Sequence, residues 1–361
     1  MASEPLDRRR RALSLAALAG LAAPAQAQAQ APFPSPQATP DAPRRVLDSA
    51  GRSVAVAGRV ARVFPAGPPA AIWLYTLAPE ALLGWPRANR PEERDFLLPG
   101  IGSRPELGRL TGRGNSANLE SVLALKPELI VDAGSVRPTF VELADRVQAQ
   151  TGIPYALIDG RLEAVPAGYR LLGELLGVRE RAEELARCAE TTLSQVRERV
   201  AQVPRAQRPR VYFARGPQGL ETGLDGSINV EMFEAMGLEL VSTRMPGGLA
   251  RVSIEQVLAW DPEVIITIDR DFANTVAHNP LWRSVSAVKT GRVHLSPKLP
   301  FGWVDFPPSV NRLPGLWWIG AKVLPAHFRQ DLSDTAREFY RRFYQVDLTP
   351  AQVQRVLAGR D

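Results

Sequence analysis

The sequence predicts an α/β protein of two similar lobes, each with a mostly parallel sheet, bridged by one long α-helix. Three observations carry this. Residues 118–132, Asn-Leu-Glu-Ser-Val-Leu-Ala-Leu-Lys-Pro-Glu-Leu-Ile-Val-Asp, recur without gaps at 253–267 as Ser-Ile-Glu-Gln-Val-Leu-Ala-Trp-Asp-Pro-Glu-Val-Ile-Ile-Thr. Each copy reads as a capped short helix, a proline stop and a continuous apolar run, and such a run suits a strand buried on both faces of a parallel sheet. Midway between the copies, Ala182, Leu185, Ala189, Leu193, Val196, Val200 and Val203 recur at three- and four-residue steps. That spacing predicts one amphipathic helix over 180–203, roughly 35 Å long at about 1.5 Å per residue.

The elements follow in order. Residues 46–56 read as a hairpin turning at Ala50-Gly51, then a short strand at 60–64, a helix to about Leu77 and a second short strand at 82–85. Residues 86–117 are broken by Gly and Pro and read as loop. The first repeat copy, a helix over 138–150 and a strand over 155–158 complete an N-terminal lobe, 46–162. A helical region, 163–204, carries the long helix, which Pro204 and Pro209 end. The C-terminal lobe, 205–361, opens with a strand at 210–213, a Gly-rich loop, a helix over 227–236 and a strand at 238–241. The second copy, a helix over 278–285 and a strand at 293–295 follow. Helices over 309–323, 334–343 and 349–357, the last capped by Thr349, close the chain.

With 361 residues, 45% of them hydrophobic, the chain can fill two cores. The formal charge of +6 is mild for this length. No basic run or basic–aromatic interleaving occurs beyond the leader, which excludes nucleic acid as a partner. Residues 1–27 read as a cleavable signal peptide: Arg8 to Arg11, an apolar core over 12–23, and Ala25-Gln26-Ala27. No cysteine follows that core, so the expected form is periplasmic and not lipid-anchored. Residues 28–45 read as a flexible leader. No later stretch reaches the 18 or so apolar residues of a membrane span. The single cysteine, Cys188, can form no internal disulfide.

Ligands of α/β sheets sit beyond the carboxyl ends of the strands. The loops there are 64–68, 132–137, 215–223, 267–272 and 296–305. They supply Arg137, Arg215, Arg270 and Lys298, with Phe301, Trp303 and Asp305 beside the lysine. Cations next to aromatics suit a large, partly apolar, anionic ligand. The three histidines, His278, His294 and His327, lack ligand spacing, so no metal-ligating residue is assigned and a bare transition-metal site is disfavoured. Gly112 to Ala117 mimics a dinucleotide fingerprint but follows no strand. No nucleophile elbow, Cys/His pair or phosphate loop is present, so no catalytic residue and no cofactor are assigned. A secreted two-lobe enzyme, the alternative class, would need an acid–base pair brought together from distant residues.

Taken in order, the motifs resemble the periplasmic substrate-binding proteins of ABC importers for iron complexes, haem and cobalamin. They are Val46-x-Asp48-x-x-Gly51-Arg52, Asn118-Leu119-Glu120 with Pro127-Glu128-Leu129-Ile130, Gly219-Leu220-Glu221-Thr222-Gly223, Ser253-Ile254-Glu255-Gln256, and Pro280-Leu281-Trp282 leading to Gly291-Arg292-Val293. Thr76-Leu77-Ala78-Pro79-Glu80 with Gly84-Trp85 is similar to a branch that includes molybdate and tungstate binders. The resemblance implies two Rossmann-like lobes, a helix resisting closure, and a ligand in the cleft. It implies a monomer that serves an ABC permease with its cytoplasmic ATPase. Glu120 and Glu255 match the glutamates that dock on permease arginines. The expected solute is a metal complex or oxyanion: a ferric siderophore first, a small oxyanion second, haem or cobalamin third.

Overall fold

Each repeat copy folds as a helix, a turn and the interior strand of a parallel sheet. The structure, a computed structural model, describes residues 43–112, 114 and 116–359. The signal peptide and most of the leader lie outside the described residues.

Strands β1 (Arg44–Leu47) and β2 (Ser53–Val56) pair antiparallel. Asp48 Oδ1 accepts from Ala50 N and Arg52 N, and Gly51 takes φ 78° to close the turn. The first parallel sheet has the order β3 (Val63–Pro65), β4 (Leu129–Gly134), β5 (Tyr155–Asp159). Between its strands run α1 (Pro68–Leu77), α2 (Pro91–Arg94), α3 (Leu119–Ala124) and α4 (Pro138–Thr151). Helix α5 (Val165–Leu176) leads into the long helix α6 (Arg179–Ala201).

The second parallel sheet is built from β6 (Arg210–Ala214), β8 (Glu239–Leu240), β10 (Val264–Thr267) and β11 (Val293–Leu295), ordered β11-β10-β6-β8. Strands β7 (Glu221–Gly223) and β9 (Leu249–Arg251) form an antiparallel pair at its side. The helices are α7 (Glu231–Ala235), α8 (Ile254–Trp260), α9 (Arg270–Thr275) and α10 (Ser286–Lys289). Helices α11 (Arg312–Val323), α12 (Leu332–Phe339) and α13 (Pro350–Leu357) end the chain, α13 starting at the expected Thr349 capping box.

The pleat explains why the two interior strands are apolar throughout. Leu129 and Val131 of β4 face one core, and Ile130 faces another under α3 and α4. Val264 and Ile266 of β10 join the first core, while Ile265 packs with Val257, Phe272 and Trp282. The first core therefore touches both sheets. Helix α6 supplies its spine through Ala182, Leu185, Ala186, Ala189, Leu193, Val196 and Val200. At 23 residues α6 is long enough to bridge both sheets, as its periodicity predicts. Among the described residues no helix is long and apolar enough to cross a membrane.

Several elements differ from expectation; the helix expected over 334–343 is α12 followed by a π-helical turn, Tyr340–Tyr344. Residues 82–85 form isolated bridges, Leu82 with Val63 and Trp85 with Glu106, instead of a strand. Over 278–285 no α-helix forms: a 3-10 turn ends at His278 and turns follow over 280–284, because Pro280 disfavours helical geometry at Asn279, whose side chain instead accepts from Leu281 N. Of 227–236, only Glu231–Ala235 is α-helical, since Asn229 is drawn toward Asp305. Helices α2, within residues read as loop, α9 and α10 and the β7–β9 pair are additions.

Candidate functional site

The interior strands β4 and β10 deliver their carboxyl-end loops at 135–137 and 268–270. Arg137 is the N-cap residue of α4; its amide donates to Ser135 Oγ (3.3 Å), and it is exposed. Arg270 is the first residue of α9 and is also exposed. Its loop is pinned by Asp269, whose amide donates to Thr267 Oγ1 (3.1 Å) and whose Oδ1 accepts from Phe272 N (3.0 Å). Each sheet thus carries one exposed guanidinium three residues beyond its interior strand; the first turn of α4 holds no acid, whereas the start of α9 is capped by the Asp269 carboxylate.

Arg215, just after β6, is 7% exposed. It lies 2.7 Å from Glu221 Oε1 and 3.1 Å from Asp305 Oδ2, as ionic contacts without hydrogen-bond alignment. Its charge is therefore matched within the protein. Asp305 is buried, which pushes its carboxyl up, and Arg215 opposes that shift. Asp305 Oδ1 accepts from Asn229 Nδ2 (2.8 Å) and Phe306 N (2.7 Å). This holds Phe306 at φ 67°, 64% exposed, a backbone costing roughly 1–2 kcal/mol for a residue with a side chain.

Lys298 is half-buried. Phe301 and Trp303 are placed in the core and not on a ligand-facing surface. Phe301 packs between Trp85 (5.5 Å) and Tyr344 (6.5 Å), and Trp303 has no exposed surface. The loop that carries them folds under α11, where a Cβ on Gly315 would meet Trp303 O at 2.1 Å. The aromatic–cation pairing expected from the sequence is therefore absent at these two positions.

Sequence reasoning missed Arg312, which is 1% exposed. Its Nη1 donates to Glu231 Oε2 (3.1 Å), its Nε to Ser309 O (3.1 Å) and its Nη2 to Gly160 O. Glu231 Oε2 also accepts from Leu162 N (2.8 Å). Gly160 and Leu162 follow β5, so this network ties the end of the first sheet to α7 and α11. Burial pulls the Arg312 pKa down and Glu231 opposes it. The available signal was an arginine heading a helix that is apolar as far as Lys322 in its last turn.

Asp132 on β4 accepts from Thr111 Oγ1 (3.1 Å) and Tyr155 Oη (3.4 Å), and burial pushes it up to about 6. Thr111 N donates to Ala66 O (3.0 Å), which couples the loop after β3 to β4. His294 is lowered to about 4, mainly by burial. Among the described residues no three His, Cys, Asp or Glu side chains group as a metal site. The hollow between α6 and α12 is lined by charges already paired, such as Arg181 with Glu184 (2.6 Å) and Arg337 with Asp334 (3.0 Å).

Glu120 and Glu255 are both exposed in the first turns of α3 and α8. Asn118 Oδ1 accepts from Glu120 N (2.9 Å), and Ser253 with Gln256 forms the expected capping box. The Glu255 carboxyl is lowered by its own backbone N–H and by Ser253.

A family model described as periplasmic binding protein matches residues 102–299. Molybdate-binding protein MolA of Haemophilus influenzae is 26% identical over 70% of this chain and 77% of its own. A solved ABC transporter solute binding protein from Sulfurospirillum deleyianum superposes with TM-score 0.80 at 30% identity, covering 87% of this chain and 98% of that one. The molybdate-bound MolA structure gives TM-score 0.71 at 23% identity, covering 85% and 99%, which establishes the shared fold.

Proposed function

The chain belongs to the periplasmic binding protein family, and from that premise we propose that it delivers a small oxyanion of the molybdate or tungstate type to an ABC permease. The observation that carries the solute class is the pair of exposed arginines, Arg137 and Arg270, one per sheet at equivalent strand ends. A tetrahedral dianion presents oxygens to donors from two sides, which suits two guanidinium groups. The relative named for molybdate binding supports this order of preference.

A second reading, a ferric siderophore, is favoured by one observation: the exposed aromatic ring of Phe306 beside the carboxyl ends of the second sheet. Haem and cobalamin rank below both. Glu120 and Glu255, exposed on equivalent helices, are proposed as the contacts to permease arginines. Periplasmic action as a cleaved, unanchored monomer without turnover belongs to the same proposal.

Calorimetric titration of the purified chain separates the readings. Molybdate and tungstate should bind tightly, sulfate weakly and a ferric catecholate siderophore not at all. Siderophore binding without oxyanion binding would reverse the order. Hydrolysis or other conversion of a ligand would overturn the receptor class.

A further inference from the structure

Helices α3 and α8 are held alike. Each is seated on its sheet by one valine, Val122 or Val257, at most 1% exposed. Each is followed by a non-glycine residue in the left-handed region, Lys126 at φ 47° and Asp261 at φ 40°. An arginine from the start of the nearby strand reaches each helix end: Arg62 Nη2 donates to Leu125 O (2.6 Å) and Arg210 Nη1 to Trp260 O (2.6 Å). A glutamate beyond the proline returns the link. Glu128 Oε2 accepts from Arg62 N (2.9 Å) and Glu263 Oε2 from Arg210 N (2.9 Å). Both helices are therefore rigid posts on their sheets.

The outward faces of the posts also agree. Glu120, Leu123 and Ala124 are exposed on α3, and Glu255, Leu258 and Ala259 on α8. Leu123 is 43% exposed and Leu258 38%. One exposed leucine is ordinary. Two at the same repeat position, each one helical turn from an exposed carboxylate, are unexplained by the cores beneath them.

We propose that Leu123 and Leu258 are apolar anchors of the permease-docking surface, each seated beside its glutamate. The partner then offers, at two equivalent places, a cation adjoining an apolar socket. Two matched faces on one chain call for a partner with two equivalent subunits, and the carboxylates call for positive charge on it. This rests on reading the chain as the receptor of an ABC permease.

The test uses the full chain and its permease–ATPase complex, held in lipid nanodiscs, with affinity read by biolayer interferometry. Leu123→Gln and Leu258→Gln should each weaken docking about fivefold, and the double variant more than about twentyfold, as expected for partly exposed leucines buried on contact. Leu123→Met and Leu258→Met should retain docking. Leu281→Gln, on an exposed leucine outside the repeat, should leave it unchanged, and molybdate affinity should be unaltered throughout. A double variant that docks like the parent, or an equal loss from Leu281→Gln, overturns the anchors. If Glu120→Arg with Glu255→Arg abolishes docking while the leucine variants do not, the anchors fail and the receptor reading stands. If charge reversal also has no effect, the docking reading itself fails.

Discussion

Replacing Glu231 by glutamine leaves the Arg312 guanidinium buried, at 1% exposure, without its carboxylate 3.1 Å away. Removing one partner of a buried pair costs about 3–5 kcal/mol, because the remaining charge stays out of water. The Glu231 side chain is itself 20% exposed, which puts the expected loss near the lower end, about 3 kcal/mol. Unfolding entropy of about 2.1 cal/mol/K per residue, over the roughly 320 residues of Pro40–Asp361, amounts to about 0.7 kcal/mol per degree. The melting temperature of Glu231→Gln should therefore fall by about 4–5 °C in scanning calorimetry at neutral pH. The double variant Glu231→Gln with Arg312→Met carries no stranded charge and should recover part of the loss. A single variant melting within about 1 °C of the parent, or a double variant worse than the sum of its parts, would show that the buried Arg312 charge does not depend on Glu231.

Other consequences follow from the same structure. Asp132, raised from 3.8 to about 6, favours the protonated form when folded, so its contribution is complete below pH about 4 and lost as pH rises through about 6. Asp132→Asn should remove that fall, worth about 3 kcal/mol as an upper figure, and flatten the melting temperature between about pH 4 and 7. His294 acts in the opposite direction: its pKa, lowered from 6.5 to about 4, withdraws stability as pH falls through that window, and His294→Gln should isolate it. At Gly173 a Cβ would lie 2.1 Å from Ala182 Cβ, so Gly173→Ala should force α5 from α6 at a cost of about 1–3 kcal/mol, read by denaturant titration. Arg137→Ala and Arg270→Ala should each lower molybdate affinity on the order of tenfold, as loss of a charge-assisted contact does.

The repeat made the fold legible because the chemistry behind it is local. A cap, one seated valine, a proline stop and an apolar run specify a helix and a buried strand within fifteen residues. The α6 periodicity was legible for the same reason. Short elements governed by tertiary contacts were not: the Asn229–Asp305 hydrogen bond shortens α7, and Val63 and Glu106 turn 82–85 into separate bridges. In the site, exposure divided residues that look alike in sequence. Arg137 and Arg270 are exposed, whereas Arg215 is matched by Glu221 and Asp305 from other elements. Phe301 and Trp303 are buried because 296–311 folds under α11, a course that no local pattern encodes. Arg312 could be located as a charge at the head of a largely apolar helix, but its partners Glu231 and Gly160 lie far off in sequence.

On the proposed function, an oxyanion sits between the carboxyl ends of β4 and β10, held by Arg137 and Arg270. Crystals grown with molybdate and measured at the molybdenum absorption edge test it directly. One strong anomalous peak is expected within hydrogen-bond reach of both guanidinium groups. A peak beside other residues, or none at molybdate concentrations that saturate the protein in solution, would contradict it.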